Sequence, residues 1–299
     1  MVRVGSALLG LGVTGWLLAT LWPEPDRVAQ GAPLNADQPE TLAPFPETAV
    51  TVLLIGLDAD RLGAPLNQAA PKGPANADAL LMLRIAAQKP LQVLQIPTEL
   101  GVQLPGEKDP GSLAQLWRRG GVSLVSDAIR DIVGLPEGEP KRYVVMPRAA
   151  LRRLVDGLGE VEVVLSQSYQ RQDKTQAYKV NLQAGRQSLN GVQAEQLVRH
   201  LPDPNDGAQR RQRQDILVEA MIEQVKAPSG IGVIPALVDQ LQLEVDTNLS
   251  RSEQLSLAAA IIASPEPAAI SRLPLADRAG EQTLRQIKSD ASQPLWPKS

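Results

Sequence analysis

Val50–Leu57 (VTVLLIGL) constrains the fold most, because eight consecutive positions carry no charge and show no apolar/polar alternation. A strand of that kind is apolar on both faces and needs a layer of structure over each. Ala79–Ile85 (ALLMLRI) and Leu91–Ile96 (LQVLQI) read as two more strands, split by the turn-like AAQKP. Leu113–Val133 reads as a helix interrupted at Gly120-Gly121. Arg148–Gly157 reads as a helix between the short strands Tyr143–Met146 and Val161–Leu165. Further helices are expected at Gly191–His200, Gly207–Val225, Ile234–Leu241 and Arg251–Ala263. Strands alternating with helices predict the α/β class, here an α-β-α sandwich with a mixed central sheet. Its core must be aliphatic, since apolar residues make up 43% of the chain and Phe, Trp and Tyr together only 3%.

The ends differ from this middle. Val4–Trp22 is a run of 19 residues without a charge, and at ~1.5 Å per residue such a helix covers about 28 Å, close to the bilayer hydrocarbon core. Arg3 precedes it, while Glu24 and Asp26 follow, which orients Met1 to the cytoplasm. The expected layout is a cytoplasmic start and transmembrane anchor at 1–22, then a Pro/Ala-rich tether at 23–48. An α/β domain follows at 49–264, and a Pro-rich, weakly patterned tail at 265–299. The protein is thus expected in the cell membrane as a single-pass chain with its main domain outside; the alternative, a cleaved signal peptide, exports the same domain. With 30 basic and 33 acidic side chains and a formal charge of −3, there is no electrostatic case for nucleic acid. The absence of cysteine excludes thiolate metal sites and a cysteine nucleophile, and the single histidine, His200, argues against a His-rich metal site or a Ser-His-Asp triad.

Two acids mark strand ends: Asp58 follows the first strand, and Asp78 immediately precedes the second. If the two strands are neighbours, both converge at one sheet end, where with a substrate phosphate they form a usual Mg²⁺ arrangement; the alternative is two solvated loop acids. In the helix Gly207–Val225, advancing 100° per residue from Ile216 places Leu217, Met221 and Val225 at about 100°, 140° and 180°. Arg210 and Gln214 fall inside that inward stripe, Arg213 at its edge, and Glu219 and Glu223 toward water. An inward guanidinium needs an anion: either a ligand phosphate, with Arg199 completing a clamp, or a structural carboxylate, for which Asp206 is the obvious candidate. His200 is expected as a surface or structural residue. Trp117-Arg118-Arg119 and Arg148, Arg152 and Arg153 are expected on solvated helix faces.

The same stretches resemble the LytR-CpsA-Psr family over roughly Thr51–Ala263. Gly56-Leu57-Asp58 is similar to its "LGxD", and Asn76-Ala77-Asp78 to "RSD". Gln95-Ile96-Pro97-Thr98 is similar to "SIPR", and Leu154–Val161 to "LVDALGGV". Leu182–Arg199 follows "L..G.Q.LdG.qAl.yvR", Arg210, Arg213 and Gln214 fit "R..RQ", and Asp246–Ser250 fits "TDLS". The resemblance implies a membrane-anchored phosphotransferase that moves a glycopolymer phosphate from a polyprenyl-pyrophosphate carrier to a peptidoglycan hydroxyl with Mg²⁺. It implies metal binding by Asp58 and Asp78, and pyrophosphate binding by Arg199, Arg210, Arg213 and Gln214. The family's acid before "R..RQ" falls at Gly207, which leaves Asp206, one residue away, as the candidate catalytic carboxylate. Asn76, Thr98 and Leu201 stand where the pattern has arginine. Two functions therefore stay open: the active transferase, and a catalytically degenerate relative that binds polyprenyl phosphate or an envelope partner without turnover.

Overall fold

A computed structural model describes residues 38–64, 66, 73–173, 178–201, 207–265, 267–277 and 282–297. Along the chain run β1 (Val50–Leu57), β2 (Ala77–Ile85), β3 (Gln92–Ile96), β4 (Gly101–Val102), β5 (Gly111–Ser112) and α1 (Leu113–Val133). Next come β6 (Arg142–Met146), α2 (Arg148–Gly157), β7 (Val161–Leu165), β8 (Tyr169–Asp173), β9 (Tyr178–Leu182), β10 (Gly185–Leu189) and α3 (Gly191–Arg199). The chain continues through α4 (Gly207–Lys226), α5 (Pro228–Leu241), β11 (Asp246–Thr247), α6 (Arg251–Ile262) and β12 (Ala269–Arg272).

The central sheet has the order β11-β6-β1-β2-β3-β12. β1 runs parallel to β6 and antiparallel to β2, and β3 runs parallel to β12, so the sheet is mixed. Because side chains alternate across a strand, the apolar β1–β3 runs feed two cores. Leu53, Ile55, Leu80, Met82, Leu94 and Ile96 pack with Leu116, Val125 and Ile129 of α1. Val52, Leu81, Ile85 and Val93 pack on the other face with Leu257 and Ala260 of α6, and Val218 and Ile222 of α4 lie against them. This is the α-β-α layering that an uncharged, non-alternating strand requires. A third core joins β7–β10 to α2, α3 and α4. In α1 the helix breaks where expected, with Gly121 at φ +58°, a conformation that side chains resist.

The structure corrects several boundaries. The described residues between 265 and 297 pack on the domain: β12 extends the sheet, and Trp296, 1% exposed, sits in the α1 core. The tether's last residues are packed as well, with a 3-10 turn at Pro39–Thr41, Leu42 and Phe45 against the domain, and the Pro44 carbonyl accepting from Ser256 at 2.6 Å. α5 begins at Pro228 and runs through Pro235. Val4–Trp22 lies outside the described residues, among which no helix is long and apolar enough to cross a membrane.

Candidate functional site

Asp78 does not precede β2 but sits within it. Gly56 pairs with Ala79 and Leu57 with Ala77, so Asp78 is the extra residue of a β-bulge. A bulge turns a side chain out of the alternation and is a common device beside functional sites. Here it places the carboxylate on a cleft between the sheet and α2, α3 and α4. The cleft wall is apolar, formed by Leu54, Leu57, Leu81, Leu151, Leu154, Val198, Leu217 and Met221, while Asp78, Arg148, Glu195, Arg199 and Gln214 supply its polar groups. It lies by the carboxyl ends of the parallel strands β1 and β6, where α/β sheets bind ligands.

Arg210 reaches this place as the helical periodicity of α4 requires. Its guanidinium donates to Asp78 Oδ1 at 2.6 Å and to Thr98 Oγ1 at 3.4 Å, and its Nε is buried without a partner among the described residues. Asp78 is the carboxylate that Arg210 meets among the described residues; Asp206 lies outside them. Gln214 ties α4 to the sheet, donating to the Asp78 carbonyl at 3.4 Å and accepting from Gln95 at 3.4 Å. Asp58 stands at the end of β1, nearly buried. Its Oδ1 accepts from the Asn76 backbone at 2.8 Å and its Oδ2 from the Asn76 amide at 3.4 Å.

Arg213 is a correction. It is 2% exposed and turns away from the cleft, donating to the carbonyls of Leu197 and His200 at the end of α3, with its guanidinium 5.1 Å from the Tyr169 ring centre. It caps the carboxyl end of α3. His200, as expected, is structural: it is buried and meets Tyr169 edge-on at 5.3 Å.

Arg148 and Arg152 are the opposite case, since they are not solvated. Arg148 donates to the Asp58 carbonyl at 2.8 Å and to Glu195 at 2.7 Å, and Arg152 bonds Glu195 and Asp60. Arg199 donates to the same Glu195 at 2.8 Å. Burial pushes the Glu195 carboxyl up, but hydrogen bonds from Arg148 and Arg152 outweigh it and hold the group below the usual range. Three carboxylates (Asp60, Asp78, Glu195) thus meet four guanidinium groups (Arg148, Arg152, Arg199, Arg210) at one end of the cleft, and the backbone carbonyl of Asp58 accepts from Arg148. The signals that betray this group are i,i+4 pairs, Arg148/Arg152 on α2 and Glu195/Arg199 on α3, each starting or ending at the sheet's ligand-binding edge.

Burial raises the Asp58 carboxyl; the Asn76 bonds oppose this and the nearby Asp78 charge adds to it. A raised carboxylate stabilises the fold while protonated, below the ordinary carboxylate pKa, and that contribution is lost as pH rises through the raised value. Asp58→Asn, permanently neutral, is therefore expected to melt higher than the parent at neutral pH, measured in chelator-treated buffer. The Asn76 Oδ1, buried and unpartnered, is available to accept from the new amide after an Asn76 flip. The gain should fade below the carboxylate range; an equal gain at all pH values would refute the argument.

The described residues thus form an α-β-α sandwich with an apolar cleft and a charged, bulge-built mouth. The chain belongs to the LytR_cpsA_psr family, whose model matches residues 27–289. It is 29% identical over 212 residues to "Polyisoprenyl-teichoic acid--peptidoglycan teichoic acid transferase TagT" of Bacillus subtilis, covering 69% of this chain and 62% of that protein. The chain therefore spans less than two thirds of that relative's length. Among solved structures, it superposes on TagV of B. subtilis with TM-score 0.64 at 17% identity, covering 81% of this chain and 91% of the other. It superposes on the LytR-Csp2A-Psr enzyme from Actinomyces oris with TM-score 0.63 at 20% identity, covering 80% and 86%.

Proposed function

We propose that the protein is an envelope phosphotransferase, moving a glycopolymer phosphate from a polyprenyl-pyrophosphate carrier to a peptidoglycan hydroxyl. The apolar cleft opening onto the Asp78–Arg210 pair carries this reading. A prenyl chain in the cleft removes methylenes from water at about 0.8 kcal/mol each, which fixes the pyrophosphate at the mouth. There Arg210, with its unpartnered Nε, and Arg199 supply donors for phosphoryl oxygens. The names of TagT and its relatives support the donor and acceptor classes.

In the reaction, the sugar hydroxyl oxygen bonds to the glycan-side phosphorus and the pyrophosphate bridge breaks. Polyprenyl phosphate leaves, and the hydroxyl proton passes to a mouth carboxylate. Guanidinium groups at fixed positions stabilise the charge spread over the transferring phosphoryl oxygens. Among the described residues no three His, Cys, Asp or Glu side chains converge as a metal cluster. The residues nonetheless suit Mg²⁺, which binds through one or two carboxylates and substrate phosphates. Asp58 and Asp78 would hold it, and the unpartnered buried Asn76 Oδ1 is a further hard oxygen at the same place. When bound, it would neutralise phosphoryl charge.

The uncharged Val4–Trp22 run supports an anchor that leaves Met1 in the cytoplasm and the domain outside. The test uses the full chain in sealed right-side-out vesicles containing polyprenyl-pyrophosphate-linked teichoic acid, with Mg²⁺ and peptidoglycan added outside. Covalent transfer to the peptidoglycan is expected, falling at least ~100-fold in Arg210→Ala. Asn76, Thr98 and Leu201 favour a second reading, a lipid-binding relative without turnover, because each stands where the family pattern has a cation. Saturable lipid binding with no transfer would establish that reading, and neither binding nor transfer would overturn both.

A further inference from the structure

Glu195 is 6% exposed, yet three guanidinium groups converge on its two oxygens. Oε1 accepts from Arg148 at 2.7 Å and from Arg199 at 2.8 Å, while Oε2 accepts from Arg152. Asp60 shares the load, bonding Arg152 at 2.7 Å and standing 3.8 Å from Arg148. Arg148, Arg199 and Glu195 all line the apolar cleft. Guanidinium groups focused on one small set of oxygens form the arrangement that recognises a phosphoryl group. In this fold a carboxylate of the chain itself occupies the focus.

We propose that Glu195 is a resident counter-anion, holding Arg148 and Arg199 together in the free protein and competing with the ligand's phosphoryl oxygens for them. The proposal deepens the reading of the cleft as a site for a lipid-linked pyrophosphate and rests on it. Three partly buried cations with Asp60 as their only other carboxylate among the described residues would be costly, so Glu195 lets the fold carry them before any ligand arrives. The same negative charge repels an incoming phosphate at short range. Glu195 therefore trades affinity for a pre-assembled mouth, and it favours head groups able to recruit the arginines away from it.

The test compares the full chain and Glu195→Gln in detergent micelles, titrating geranylgeranyl pyrophosphate and inorganic pyrophosphate by calorimetry and following thermal unfolding. The variant should melt lower alone, bind both pyrophosphates at least ~tenfold tighter, and gain more Tm from each than the parent does. A purely structural role would lower the melting point without raising affinity. Unchanged or weaker affinity in the variant, while the parent binds the lipid, overturns the counter-anion role and leaves the cleft reading intact. Tighter inorganic pyrophosphate in the variant with no lipid binding by either protein sinks the cleft reading instead. The parent protein offers a measurement independent of the variant's folding: side-chain NMR signals of Arg148 and Arg199 should move when pyrophosphate is added. Signals that stay in place at saturation overturn the proposal.

Discussion

Val198→Trp is expected to lower affinity for a long-chain prenyl pyrophosphate about 1000-fold while changing that for inorganic pyrophosphate less than ~threefold. Val198 lies on α3, one residue before Arg199, and its side chain lines the apolar wall with Leu217 and Met221. An indole there fills apolar space in the cleft and leaves the Asp78–Arg210 pair itself unsubstituted. Displacing about five methylenes at ~0.8 kcal/mol each removes about 4 kcal/mol, close to three decades in Kd. Overpacking is expected to cost the fold about 1–3 kcal/mol, so thermal unfolding runs alongside to confirm a folded variant. The paired titrations separate greasy slot from charged mouth. Lipid affinity unchanged in a folded Val198→Trp protein would mean that the prenyl chain lies elsewhere, and the function assigned to the cleft would fall with it.

How far the site was legible in the sequence depended on which interactions set each residue's direction. β1 was readable because an uncharged run without alternation leaves no face for water, and the two cores formed by alternate residues of β1–β3 follow from that alone. The periodicity of α4 placed Arg210 and Gln214 inward, and both meet Asp78. Arg213, at the edge of the same stripe, also points inward, but its neighbour there is the carboxyl end of α3. A helical wheel gives a direction and not the identity of what waits in it. Arg148 and Arg152 sit on an amphipathic helix whose polar face looks solvated until another helix covers it. β12 (AISR) is too short to announce itself, and its place beside β3 comes from pairing between distant segments. Asp78 was placed one residue outside β2 because a bulge leaves no mark in apolar pattern.

Gly191→Val is expected to destabilise the fold by more than about 4 kcal/mol, the range reserved for severe steric or core defects. Gly191 opens α3 directly after the Asn190 capping box, and its amide donates to Asp156 on α2 at 2.7 Å. A Cβ at this position would stand 2.2 Å from the Arg152 carbonyl oxygen and 2.6 Å from that residue's Cα. Both are backbone atoms within α2, so no rotamer change relieves the clash and one helix must move. Movement of α3 carries Glu195 and Arg199 together away from Arg148 and Arg152, which breaks the ion pairs and separates the cations of the mouth. Gly191→Ala should therefore lose both stability and pyrophosphate affinity, in contrast to Glu195→Gln, where the two move in opposite directions. Urea unfolding and pyrophosphate titration of both variants make the comparison. A Gly191→Ala protein with the parental midpoint and affinity would show that the two helices have room to spare, and that the carboxylate's grip on the arginines does not depend on their close approach.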